Sequence, residues 1–190
     1  MKNYKVIVNL NNNTMEEPVV WKTDNQAIEN NVKTRIGIIG AISTTLNMYD
    51  KVEIICLMPY WADTDYRPYK QIKEEIDNLS MVIGFQTNIT SLYIESVEDM
   101  FEKVVDAISG EDVILMADLT GMSTGEHMAI QTALAYAKNV YRNVYVERVV
   151  YGDETMTLHD ISSLFYMREI VSKFSPGMID PKVAKNILGL

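Results

Sequence analysis

The sequence predicts an α/β fold, a doubly wound, Rossmann-like parallel sheet in a single domain. Three observations carry that expectation. Five runs rich in Val, Ile and Tyr alternate with helical patterns along the chain. Two of them, Val6-Ile7-Val8 and Val113–Ala117, are continuously apolar, as strands covered on both faces are. The alternation occurs at lengths that suit right-handed β-α-β crossovers, which wrap a parallel sheet with helices on both faces. At 190 residues the chain suits one domain with a real core, and it has no internal repeat, low-complexity stretch or linker beyond the short cluster Asn11–Asn13.

The expected strands are Lys5–Leu10, Lys51–Pro59, Ser91–Glu95, Asp112–Leu119 and Asn143–Tyr151. Between the first two, Ile28, Val32, Ile36, Ile39 and Leu46 suggest a long helix, although Gly37 and Gly40 weaken it. Tyr69, Ile72, Ile76 and Leu79 mark a second helix, with Pro68 suited to its first turn. The clearest stripe is Val97, Met100, Phe101, Val104, Val105 and Ile108, opened by Ser96 with Asp99 three residues on and closed by Gly110. Met128 to Ala137 is apolar nearly all round, as a sandwiched helix is. A last helix is expected from about Ile161 to Phe174.

Composition narrows the function. Apolar residues make up 47% and charged residues 23%, an ordinary globular balance. A net charge of -9 argues against long DNA or RNA, which demands many phosphate-neutralising cations on one face, but leaves room for a small nucleotide held by main-chain amides. No apolar run reaches the length of a membrane span, and the start, Met1-Lys2-Asn3-Tyr4, lacks a signal-peptide hydrophobic region, so a cytoplasmic protein without a membrane partner is expected. The single Cys56 lies in an apolar run and reads as a buried cytosolic thiol.

The segment Asp118-Leu119-Thr120-Gly121-Met122-Ser123-Thr124-Gly125-Glu126-His127 follows the apolar run Val113–Ala117 directly. A turn full of hydroxyls and glycines, between a buried strand and an apolar helix, offers backbone amides and a helix N-terminus to an anion or nucleotide. In open α/β sheets ligands bind beyond the strand C-termini where the strand order reverses. For five strands that point falls between the first and the fourth, which brings Asn9, Asn11, Asn12 and Thr14 to face Asp118, Thr120, Gly121, Ser123, Thr124 and Gly125. The first crossover has no Gly-x-Gly-x-x-Gly and the second turn no Gly-Lys-Ser/Thr, so neither ordinary dinucleotide binding nor a P-loop is expected. Neither histidine sits in a Cys/His cluster, and neither a metal nor a cofactor is implied.

The run Ala117-Asp118-Leu119-Thr120-Gly121 through Ala133-Leu134-Ala135-Tyr136, then Val149-Val150-Tyr151-Gly152 and Leu158-His159-Asp160-Ile161, resembles the second half of the CARF domain of CRISPR-associated proteins. The resemblance covers roughly residues 112–174; Lys5–Thr14 fits only as a generic first strand and polar loop. It implies a CARF-like domain over 1–175 that binds a cyclic oligoadenylate, cyclic tetra- or hexa-adenylate, across the two-fold axis of a homodimer. It also implies a C-terminal tail over 176–190, apolar enough to pack on a partner subunit. The function implied is that of a stand-alone protein of type III CRISPR immunity. No Arg–His pair of the kind found in the family's RNase domains is present, since Arg148 and His159 lie too far apart. Two versions stay open: a metal-independent ring nuclease leaving 2′,3′-cyclic phosphate ends, and a non-catalytic sensor or sponge acting with a separate effector chain. In the first, Thr120, Ser123 and Thr124 with the amides of Gly121–Gly125 hold phosphates, Asn11 and Asn12 order the ribose, and His127 and Ser123 are the catalytic candidates.

Structural alternatives stand beside each of these roles. Ser123 with Glu126 forms a capping box, Asp118 suits a hydrogen bond within its own turn, and His127 suits a half-buried structural position. His159 reads as structural. Trp61, Tyr66 and Tyr69 follow the second strand and suit either base stacking or packing at a helix start.

Overall fold

The computed structural model describes residues 1–11, 16–28, 32–63 and 65–173. In chain order the elements are β1 (Asn3–Asn9), the short strands β2 (Val19–Val20) and β3 (Lys22–Thr23), a 3-10 turn (Gln26–Ile28), β4 (Lys33–Thr34) and α1 (Gly37–Ile42). There follow β5 (Lys51–Pro59), α2 (Arg67–Ile83), β6 (Gln86–Ile94), α3 (Val97–Ala107), β7 (Ile114–Asp118), α4 (Thr124–Val140), β8 (Tyr145–Gly152), β9 (Thr157–Asp160) and α5 (Ser162–Lys173).

The main sheet runs β3-β9-β8-β7-β1-β5-β6. Its five long strands are parallel, and β9 alone runs antiparallel to its neighbour β8. The reversal of strand order falls between β1 and β7, with Val8 opposite Asp118, so the first and fourth expected strands are neighbours. β1 is central because it is buried at every position from Val6 to Asn9. Side chains alternate across it. Val6 and Val8 join Ile54, Cys56, Ile38, Ile42, Ile72 and Ile76 on the face covered by α1 and α2. Ile7 joins Ile55, Leu57, Met100, Val104, Ile130 and Leu134 on the face covered by α3 and α4, where Phe165 of α5 also packs. Burial pushes the Cys56 thiol up to about 12, so it stays protonated and unreactive at neutral pH.

The expected long first helix is not formed. Its apolar positions Ile28, Ile36, Ile39 and Leu46 are buried, but by a 3-10 turn, a loop and the six-residue α1. Periodic burial fixes which residues face the core; it does not force them into one helix, and two glycines discourage that helix. Gly37 has a further reason to be there: a Cβ on it would lie 2.6 Å from Leu158 Cδ1 and 3.3 Å from the ring of Trp21. Trp21 is the wedge of this region, buried with its indole N–H donating to the Thr34 carbonyl oxygen at 3.2 Å.

The sequence expectation needs adjusting elsewhere too. Strand β6 begins at Gln86 rather than Ser91, whereas α4 begins at Thr124, directly after the expected Ser123 cap. Thr157–Asp160 forms a strand between β3 and β8 before the last helix opens, where Asp160 accepts the Ser162 N–H at 3.0 Å. Phe174 and the tail 176–190 lie outside the described residues.

Candidate functional site

At the C-terminal edge of the sheet, on the α3/α4 side of the reversal, lies a cleft of ≈ 290 Å³. Its floor is the exits of β1 and β5, with Asn9, Asn11, Met58 and Pro59. Its walls are the openings of two helices: Ser96 and Val97 of α3, and Ser123 and Glu126 of α4. Both openings come from local sequence. The Ser96 hydroxyl accepts the Asp99 N–H at 3.1 Å while the Asp99 carboxylate accepts the Glu95 N–H at 2.9 Å. The Ser123 hydroxyl accepts the Glu126 N–H at 3.4 Å while the Glu126 carboxylate accepts the Ser123 N–H at 2.6 Å. The second is a reciprocal capping box; in the first the return bond goes to Glu95, one residue before the cap. Gly125 lets the walls approach, since a Cβ there would come within 3.3 Å of Val97 Cγ2.

Asn9 is the unusual member of this site. It is 2% exposed, and its side-chain oxygen accepts the Asn11 N–H at 3.1 Å. Its side-chain amide nitrogen has no partner among the described residues. A buried donor without an acceptor costs roughly 1–3 kcal/mol, so the position invites an acceptor atom from outside. None of the described residues lining the cleft is Lys or Arg. Any attraction for a negatively charged group here would come from amide donors and the positive ends of two helices, against the carboxylates of Glu95 and Glu126 that also line the cleft.

The other expected site residues divide. Asn9, Asn11 and Ser123 line the cleft, and Thr124 and Gly125 form the first turn of α4 behind it. Gly121 sits in the left-handed region, φ 71°, in the turn after β7. Asn12 and Thr14 lie outside the described residues. Asp118 and Thr120 hold the fold together instead of lining the cleft. Asp118 is fully buried; one carboxylate oxygen accepts the Thr120 N–H at 2.9 Å and the other the Ile38 N–H at 3.3 Å. The Thr120 hydroxyl accepts the Gly152 N–H at 2.7 Å.

His127 stands one turn into α4, half-buried, with Nε2 2.8 Å from the Leu119 carbonyl oxygen. A carbonyl oxygen only accepts, so Nε2 carries the proton and, in the neutral ring, Nδ1 keeps the basic lone pair. The imidazole meets the edge of the Tyr151 ring at 6.4 Å, and Tyr151 stacks on His159 at 6.2 Å.

Sequence reasoning missed the wall supplied by the end of β6 and the opening of α3, although the Ser96–Asp99 pair was visible as a helix start. It also missed the surroundings of His159, whose two ring nitrogens lie 2.9 Å from Asp24 and 3.1 Å from Asp153. These carboxylates raise the imidazole above its usual range, Asp153 contributing most and Asp24 next. The same contacts hold the Asp24 and Asp153 carboxyls below theirs. No local motif announces a pairing between residues 135 positions apart.

Among the described residues no group of three or more His, Cys, Asp or Glu is placed to hold a metal ion, and no helix is long and apolar enough to cross a membrane. No protein-family model matches the chain, and no curated protein matches it. Fold and site together define a Rossmann-like α/β domain with a polar cleft at its topological switch point.

Proposed function

We propose that this protein binds a cyclic oligoadenylate at the switch-point cleft, as a cytoplasmic, CARF-like homodimer of type III CRISPR immunity. The observation that carries the reading is Asn9, a buried amide donor without a partner among the described residues, on the floor of a cleft walled by two helix openings. A phosphate, ribose or adenine acceptor would complete its hydrogen bonding. The cleft's shortage of cations suits a ligand whose charge is spread around a ring rather than concentrated in a terminal polyphosphate. A two-fold arrangement draws support from α4, where Met128, Tyr136 and Val140 are exposed at spacings of eight and four residues and so share one face. Binding without cutting is the simpler version, because Ser123 is engaged in its cap and His127 in its bond to Leu119. Ring opening needs a base within reach of the attacking 2′-hydroxyl, and His127, one turn into α4, does not line the cleft.

Incubation of the purified protein with radiolabelled cyclic tri-, tetra- and hexa-adenylate, without added metal, tests the reading. Retention of one ring supports it, and linear product in the same samples selects the nuclease version. Retention of none refutes it.

A further inference from the structure

Directly after the cleft's floor residue Pro59 the chain carries two aromatic side chains that the core does not use. Tyr60 and Trp61 directly follow Pro59, a floor residue of the cleft, and are 66% and 64% exposed. An exposed indole forfeits the burial that normally holds such a ring in place. This one is nevertheless fixed from below. The ring of Tyr66 meets Trp61 edge-on, with centroids 5.6 Å apart at 88°. Tyr66 is itself half-buried, and its hydroxyl donates to the Leu10 carbonyl oxygen at 3.0 Å. Leu10 is the residue between Asn9 and Asn11, and its own N–H donates to the Leu57 carbonyl oxygen at 3.0 Å. The turn carrying Trp61 is closed by the Ala62 N–H donating to the Pro59 carbonyl oxygen at 2.9 Å. One chain of contacts therefore ties the indole to the loop that bears the unpaired Asn9 amide.

We propose that Trp61 is a stacking shelf for a flat heteroaromatic ring, an adenine of the ligand whose polar part reaches Asn9. The inference rests on the cyclic-oligoadenylate reading and adds the residue that would select a base. A polar cleft alone accepts many anions. An exposed indole two residues beyond the floor, tied to the Asn9 loop through Tyr66, would favour those that carry a π-face and accept any base that stacks well. Tyr66 is a positioning residue here, acting through Trp61.

The test is a titration with cyclic tetra- and hexa-adenylate, using inorganic phosphate as the control, on the native protein and on Trp61→Ala and Trp61→Phe. The chain has two tryptophans, and Trp21 is buried, so fluorescence quenching on binding reports chiefly on Trp61. The expected result is quenching of the native protein by the adenylates and not by phosphate, with retention of the radiolabelled rings about tenfold weaker in Trp61→Ala and largely restored in Trp61→Phe. If Trp61→Ala binds the ring as tightly as the native protein, the shelf is refuted while the cleft reading stands. If that variant binds normally but elutes as a smaller species, the shelf is a subunit contact and the proposal is overturned. If the native protein retains no adenylate, both fall together.

Discussion

The carboxylate of Asp118, at the end of β7, accepts the backbone N–H of Ile38 in the first turn of α1, at 3.3 Å and fully buried. The two residues are 80 positions apart, and the bond fastens the first crossover to the strand on the far side of the reversal. Its other oxygen holds the Thr120 N–H. Asp118→Ala leaves two amides short of their acceptor and should cost about 3 kcal/mol of stability, with Asp118→Asn costing about 1 kcal/mol because one acceptor oxygen survives. Urea denaturation measures both. Ring binding by folded Asp118→Asn should stay within about threefold of native, since a carboxylate that caps backbone amides gives the ligand nothing directly.

Gly152 tests the same junction by size. A Cβ there would lie 2.8 Å from the Trp21 ring and 3.0 Å from the Thr120 hydroxyl oxygen. A buried indole yields little, so Gly152→Ala should lose about 1–3 kcal/mol. A thermal melt reads the loss; an unchanged midpoint would show that the wedge is looser than its geometry.

His159 makes stability depend on pH. Its imidazole is raised above the ordinary value of 6.5 by Asp153 and Asp24. Its contribution is fully present below 6.5 and is lost as pH rises through the higher value in the folded protein. The two carboxylates are held low, so their contribution is present above the usual carboxylate range and is lost as pH falls through their depressed folded values. The clamp is strongest in weakly acid solution. Melting midpoints from about pH 6 to about pH 9 should decline in the native protein more than in His159→Gln, and parallel curves would contradict the assignment.

His127→Ala tests whether this histidine serves the fold or the cleft. The Leu119 carbonyl loses its side-chain donor, at a cost of about 1 kcal/mol, but the residue does not line the cleft. Retention of a cyclic adenylate should be unchanged. Any ring-opening activity of the native protein should be unchanged too, because a general base must lie within hydrogen-bond reach of the proton it takes.

Much of this was legible in the residues themselves. Strand alternation with the apolar runs Val6–Val8 and Val113–Ala117 foretold the parallel sheet, and the reversal between the first and fourth strands placed Asn9 and Ser123 on one cleft. Capping pairs at Ser96 and Ser123 were legible because such bonds are local. The segment between β1 and α1 was not, because Trp21, Thr34 and Leu158 find each other only in three dimensions. A stripe of buried isoleucines looks the same whether one helix or three short elements present it. The Asp24–His159–Asp153 clamp was invisible for the same reason: its members are ordinary surface residue types joined across the sheet edge.

The central claim is that the unpaired Asn9 amide receives an atom of a cyclic oligoadenylate. The most direct measurement is the dissociation constant of the best-retained ring for the native protein and for Asn9→Ala, with thermal midpoints taken alongside. Loss of one buried hydrogen bond to a charged or polar acceptor predicts about tenfold weaker binding or more by a protein that still folds. Equal affinity in the two proteins, or no measurable affinity in the native one, would contradict the account.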